Sequence, residues 1–258
     1  MFPYFQINAF LIGPITIQVW GLLVSIGILA GLALSYYLAR KYFLAGSVIT
    51  DLVLWLILGG LFGARVFHIL FYDPVYYLTY PIEVLYFWQG GASSLGGFFG
   101  AAVALYIFFR RRHFTWQEVK PYLDIITPGL WLGWGIGRIG CFLIHDHIGR
   151  FSNSFLAVQF PGGARFDLGL LESLLAFLLF TLSFLHFKRI IKWGWSYLFA
   201  SSFLIYSILR FCLDFLRATD LSISDPRYWF LTPSQWGMLI VGLALTFYIV
   251  WSRMKQQK

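Results

Sequence analysis

The sequence predicts an all-α polytopic membrane protein with about seven transmembrane helices and a small extracytoplasmic head insert, and three observations carry that expectation. Hydrophobic residues fill 59% of the 258 positions and charged residues only 12%, about half the charged share of a soluble domain. The mean hydropathy is +0.74, and apolar runs of membrane-crossing length recur along the chain, too many for one buried core to absorb. The cations gather in short clusters between those runs, which is a topology signature. The formal charge of +8 therefore reads as membrane orientation, and no nucleic-acid partner is expected.

Taken in order, the apolar segments fall at about 17–39, 50–72, 93–110, 121–143, 167–187, 194–217 and 232–252, within one integral membrane domain spanning residues 1–258. The first charged residue is Arg40. A secretory leader would carry a basic stretch before its apolar run, so the first segment is expected to remain as a membrane helix. Basic clusters follow the odd-numbered segments: Arg40 and Lys41; Arg110, Arg111, Arg112 and Lys120; Lys188, Arg189 and Lys192; and Arg253, Lys255 and Lys258. The positive-inside rule makes these clusters cytoplasmic, with the N-terminus outside and the C-terminus inside.

The clusters hold every lysine, whereas the seven remaining cations (Arg65, Arg138, Arg150, Arg165, Arg210, Arg217 and Arg227) are all arginine. Lysine is a hydrated point charge, while arginine offers a planar set of donors that suits phosphate or carboxylate. Arg65, Arg138, Arg210 and Arg217 fall in the outer halves of expected spans. A mid-bilayer arginine costs about 2.5–3.5 kcal/mol on insertion scales, so each needs a partner or a purpose. Snorkelling to headgroups and internal pairing with Glu172 and Asp214 are the bland alternatives to a phosphate site.

Two stretches are not simple spans. Residues 79–92 are aromatic, broken by Pro81 and ended by Gly90 and Gly91, as expected of an interfacial or re-entrant segment. Residues 144–166 are polar and strand-and-turn-like, and form the expected head insert. Small residues four apart, Gly59/Gly63, Gly96/Gly100 and Gly133/Gly137, suit close helix packing. No internal repeat is visible, which weighs against a transporter built from inverted halves.

Four constellations could carry chemistry. In GRIGCFLIHDHIGR (137–150), Gly137 and Gly140 leave room beside Arg138, and Gly149 precedes Arg150. In RFCLDFLR (210–217), Arg210, Asp214 and Arg217 share one helix face, either as an internal clamp or as a phosphate cradle oriented by Asp214. GARVFHILFYD (63–73) carries Arg65 and His68, and WQGGASSLGG (88–97) leads through Gly96 and Gly97 into the third span. His145, Asp146 and His147 supply two imidazoles and a carboxylate able to take a thiol proton near neutral pH, or simply a polar turn. As a metal site, His145 and His147 lack a third and fourth ligand, so no metal is assigned. Cys141 and Cys212 read as small packing residues in preference to a bridge.

Taken together, these motifs resemble the prolipoprotein diacylglyceryl transferase family along nearly the whole chain. The family pattern G-R-x-G-N-F-x-N-x-E-x-x-G-R is matched at Gly137, Arg138, Gly140, Phe142, Gly149 and Arg150. Its Y-x-x-F-R-x-x-x-E-F-x-R resembles Tyr206 to Arg217 with Asp214 as the acid, its G-G-R-x-x-x-x-L-F-Y resembles Gly63 to Tyr72, and its S-x-G-Q resembles Thr232 to Gln235. The departures are specific: Leu95 stands for a family histidine, Cys141 and Ile144 for asparagines, Asp146 for glutamate and Trp20 for tyrosine, while H-P-x-Q-L-Y-E keeps mainly Glu172.

The resemblance implies a bacterial inner-membrane transferase moving diacylglyceryl from phosphatidylglycerol to the lipobox cysteine of lipoprotein precursors, without a cofactor and as a monomer among membrane lipids. It implies Arg138 and Arg210 as catalytic groups, with His145, Asp146 or His147 completing the proton transfer. It implies substrate binding by Arg138, Arg65, Arg210, Asp214, Arg217, Gly137, Gly140, Gly149, Arg150, Gly96, Gly97, Glu172 and Gln235. Two other readings stand beside it: a diverged paralogue with the same lipid cleft and another acceptor or no activity, and a lipid-handling transporter or scaffold.

Overall fold

A computed structural model describes residues 1–71, 73–86, 91, 93–221 and 227–256, with backbone alone at positions 15, 94, 95 and 256. Tyr72, residues 87–90 and 92 of the aromatic segment, the Leu95 side chain and Lys258 lie outside the described residues. Long helices occupy all seven apolar segments: α1 (Val19–Lys41), α2 (Gly46–Phe71), α4 (Ser94–Arg111), α5 (Trp116–Ile144), α6 (Leu168–Leu185), α8 (Tyr197–Leu213) and α9 (Pro233–Gln256). Between them lie the short α3 (Pro74–Thr79) and α7 (Phe187–Ile190).

Among the described residues five helices, α1, α2, α6, α8 with its 3-10 extension to Leu216, and α9, are long and apolar enough to cross a membrane. The other two are less apolar for visible reasons. The last residues of α4 are Arg110 and Arg111, and α5 carries Glu118, Lys120, Asp124 and Arg138 together with a run of glycines from Gly129 to Gly140. Large apolar side chains such as Leu58, Phe62, Leu243 and Phe247 stand exposed along these helices, as lipid-facing surfaces require.

The chain divides into two compact units, Ala39–Tyr122 and the remainder, Met1–Leu38 with Leu123–Lys258. In the first, α2 and α4 cross through glycines. A Cβ on Gly63 would meet the Gly96 carbonyl and come within 2.7 Å of the Gly100 Cα, and one on Gly59 would meet the Gly100 carbonyl at 2.8 Å. At the basic end, Arg112 pairs with Asp51, and Glu118 accepts from both the N–H and the hydroxyl of Thr115 (2.7 Å each) where α5 opens.

In the second unit, α1 packs on α5 by the same device, with Gly27 against Gly133 and Gly31 against Gly129. A core of Trp131, Leu175, Leu179 and Tyr206 joins α5, α6 and α8. Asp124 of α5 is fully buried and accepts hydrogen bonds from Ser196 N (2.7 Å) and Phe199 N (2.8 Å), so one helix caps the start of another.

Short strands accompany the helices. Residues 1–18, which lie before or at the very start of the first expected span, form three of them. β2 (Ala9–Ile12) and β3 (Ile15–Gln18) pair antiparallel around Gly13–Pro14, a two-residue turn with Gly13 at φ +59°. β1 (Phe2–Pro3) joins β4 (Ile148–Phe151), β5 (Val158–Phe160) and β6 (Gly163–Asp167) in a sheet ordered β1-β5-β6-β4. Only the β1–β5 pair is parallel. Strands this short carry too little alternation to be recognised before their partners are known.

Candidate active site

Two buried carboxylates organise the site. Glu172, in the second turn of α6, is fully buried and stands 2.9 Å from Arg138 Nε of α5 and 3.1 Å from Arg210 Nη2 of α8. Asp214, also fully buried, opens the 3-10 turn that ends α8, and there Arg210 Nη1 (2.8 Å) and Arg217 Nε (3.1 Å) share its Oδ1. Its Oδ2 accepts a hydrogen bond from the Thr232 hydroxyl. Three arginines from two helices and a turn are thus locked by two acids. Arg138, 14% exposed, lies with its guanidinium 4.9 Å from the Trp134 ring centre.

The surroundings explain the geometry. Gly149 of β4 pairs with Arg217 across an isolated bridge, and a Cβ there would press on the Leu216 carbonyl at 2.8 Å. Gly149 therefore positions Arg217 by close backbone approach. Gln235, fully buried, accepts from Thr232 N (2.9 Å) while Gln235 N donates to the Thr232 hydroxyl (3.2 Å). This is a capping box starting α9, so Gln235 holds Thr232, and Thr232 holds Asp214. Thr232 was not among the expected site residues, although T-x-x-Q before an apolar run was its visible signal.

At the C-terminal end of α5, His145 adopts a left-handed conformation (φ 54°) that ends the helix and turns the chain back. The turn brings Asp146 and His147 to Cys141. The Cys141 Sγ and one ligand atom from each of Asp146 and His147 all lie within 4.8 Å of one another, so these three could hold a metal ion. Arg138 Nη1 stands 3.7 Å from the sulfur. Partial desolvation pushes the Asp146 carboxyl up to about 6, against the pull of Arg138. Burial, then the charges of Arg138, Arg217 and Arg210, push the His147 imidazole down to about 3, so it is neutral at physiological pH.

His145 is separately engaged. Its Nδ1 lies 2.7 Å from Asp167 Oδ2 and its Nε2 2.7 Å from the Phe5 carbonyl, and the ring stacks on Tyr4. Burial opposes its charge, but the bond to Asp167 and then the Phe5 carbonyl carry its pKa above the usual value. Both ring nitrogens are committed to joining α5, β6 and the N-terminal segment.

The remaining expected residues separate by role. Arg65 is 3% exposed and donates to the carbonyls of Glu83, Val84 (3.1 Å) and Gly91 (3.1 Å), which organises the segment after α3. Gly96 sits in the α2–α4 crossing, and Gly97 lies one residue further along α4 at a looser contact, its added Cβ 3.6 Å from the Gly60 carbonyl. Gly140 lies against Trp20, Gly137 against Val24, and Arg150 is exposed on β4. Cys141 and Cys212 are both free thiols, the first buried and the second exposed.

Comparison with known proteins bears on the chain as a whole. The family model described as prolipoprotein diacylglyceryl transferase matches residues 7–251. The chain is 29% identical to the phosphatidylglycerol–prolipoprotein diacylglyceryl transferase of Dechloromonas aromatica (strain RCB), across 95% of this chain and 96% of that one. It is 30% identical to the enzyme of the same name from Coxiella burnetii (strain Dugway 5J108-111), across 93% and 94%. It is also 30% identical to that of Nitratidesulfovibrio vulgaris (strain DP4), across 91% and 89%. With a family match over nearly its whole length, the chain belongs to the prolipoprotein diacylglyceryl transferase family.

Proposed function

We propose that this protein transfers the diacylglyceryl group of phosphatidylglycerol to the cysteine thiol of a lipoprotein precursor. The observation that carries the reading is the Arg138–Glu172–Arg210–Asp214–Arg217 network. A structural ion pair would match one cation with one acid, whereas here three cations share two acids. That surplus suits one phosphodiester. Fixed guanidinium donors in a low-dielectric site stabilise charge building on the departing phosphate without reorganising. Glu172 and Asp214 hold the donors in place, and Trp134 covers one face of Arg138.

The nucleophile is a thiolate, whose parent thiol has a pKa of about 8.5 in water. The arginines favour the anion, and Asp146 with His147 is the pair left to assist its formation, since His145 is bound on both sides. The chain is a monomeric enzyme of the bacterial inner membrane with seven spans, the N-terminus outside and the C-terminus cytoplasmic. In this arrangement the β4–β6 region is the extracytoplasmic head, and residues 79–86 lie at the membrane interface. The lysine-bearing clusters support that orientation. Arg138→Ala tests the reading in vesicles holding phosphatidylglycerol and a lipobox peptide. Unchanged lipidation would refute it.

Leu95, where the family pattern has histidine, favours one second reading: a diverged member that retains the lipid cleft and uses another acceptor. Complementation of a strain lacking the transferase separates the two. Rescue supports the first, and failure despite good expression supports the second.

A further inference from the structure

We propose that Cys141, Asp146 and His147 form a zinc site that activates the incoming thiol. The inference rests on the transferase reading above and names how this chain makes its nucleophile. A thiolate, a carboxylate and a neutral imidazole are a ligand set suited to zinc, and three protein ligands with an open fourth position are the pattern of catalytic sites, not of structural ones. Tetrahedral zinc with bonds of about 2.0–2.3 Å holds its ligand atoms about 3.3–3.7 Å apart. The three candidate atoms already lie within 4.8 Å, and Asp146 Oδ1 is 3.7 Å from His147 Nε2, so small side-chain rotations close the site. Asp146 and His147 retain 36% and 28% side-chain exposure, which leaves a path for the metal and for a fourth ligand.

The charges also balance. A Cys141 thiolate and an Asp146 carboxylate neutralise the dication, while Arg138 is already matched by Glu172 at 2.9 Å. Arg138 Nη1, 3.7 Å from the sulfur, is placed to donate to the thiolate once it forms.

A thiol that coordinates zinc is deprotonated as it binds. The precursor thiol takes the fourth position and releases its proton. The sulfur electron pair attacks the glyceryl carbon bearing the phosphate, the C–O bond breaks, and its electron pair leaves with glycerol phosphate. The released proton balances the second negative charge on that phosphate. No oxidant or reductant is involved.

The test uses the purified full chain in lipid nanodiscs, stripped with chelator and reloaded with zinc or cobalt alone. Elemental analysis is expected to give one zinc per chain, and cobalt a sulfur-to-metal charge-transfer band. Cys141→Asn, which installs the family residue and so preserves the fold, abolishes that band, and His147→Ala weakens metal binding at least tenfold. Arg138→Ala keeps the band while losing lipidation, which separates the metal site from the phosphate clamp. Zinc binding that is absent from the wild type, or equal in all variants, overturns the proposal. Full-rate lipidation by metal-free protein overturns the activating role and leaves the transferase reading intact. An intact cobalt band without any lipidation sustains the metal site and removes the transferase reading.

Discussion

Buried carboxylates stand at both ends of the larger unit, and they do different things. Asp124 accepts from backbone amides, among them those of Ser196 and Phe199. These hydrogen bonds complete the start of α8, so its work ends with folding. Glu172 and Asp214 meet guanidinium groups instead, and an arginine with five donors is not used up by one carboxylate. A carboxylate satisfied by amides is a finished joint, while one satisfied by arginines holds charge ready for a ligand. Burial is equal at the two ends, so burial alone does not distinguish structure from site.

The largest expected effect lies at the arginine end. Arg138→Ala should reduce lipidation by about 10²–10³-fold or more, the usual consequence of removing one preorganised donor to a developing anion. Its melting temperature should fall little, because Arg210 still pairs with Glu172. A rate assay and a melt on the same sample check both halves. At the other end the pattern reverses: Asp124→Ala should destabilise by about 2 kcal/mol, at the upper end for loss of a helix cap. Turnover per folded molecule should stay the same. Equal loss of activity in the two variants would break the comparison.

His145 and His147 sharpen it further. His145→Ala leaves Asp167 buried without its imidazole, a loss of about 1–3 kcal/mol, read as a lower melting temperature with unchanged turnover per folded molecule. His147→Ala should do the opposite. The smallest effect concerns the pair of Arg165 with Asp220, which ties β6 to the chain after α8. Arg165 holds the Asp220 carboxyl below the usual range. A depressed folded-state pKa gives stability that is present above the unfolded value of about 3.9 and lost as pH falls through the folded one. Thermal melts in detergent should therefore drop slightly more steeply with acid for the wild type than for Asp220→Asn.

Legibility in the sequence followed the range of the interaction involved. The apolar runs announced their helices because lipid contact imposes a local rule on every residue of a run. Segregation of arginine from lysine pointed to Arg138, Arg210 and Arg217 for a similar reason, since an uncompensated cation in an apolar stretch is visible without any neighbour. Arg65 carried the same signal, yet it serves backbone carbonyls. Sequence shows that a cation needs partners and not which ones it finds. Strand β1 and the link from Thr232 to Asp214 escaped notice because each depends on a partner distant in the chain, and the β2–β3 hairpin because its strands are only four residues long.

By itself, then, the sequence determined a helical membrane protein, the family to which it belongs and the arginines around which its chemistry is built, all through composition and short-range pattern. The tertiary structure alone decided which acids lock those arginines and which of two neighbouring histidines faces them. It also decided that Cys141, apparently a packing residue, meets Asp146 and His147. The physical reason is the left-handed turn at His145. It closes α5 only because Asp167 and the Phe5 carbonyl, from elsewhere in the fold, hold that imidazole in place.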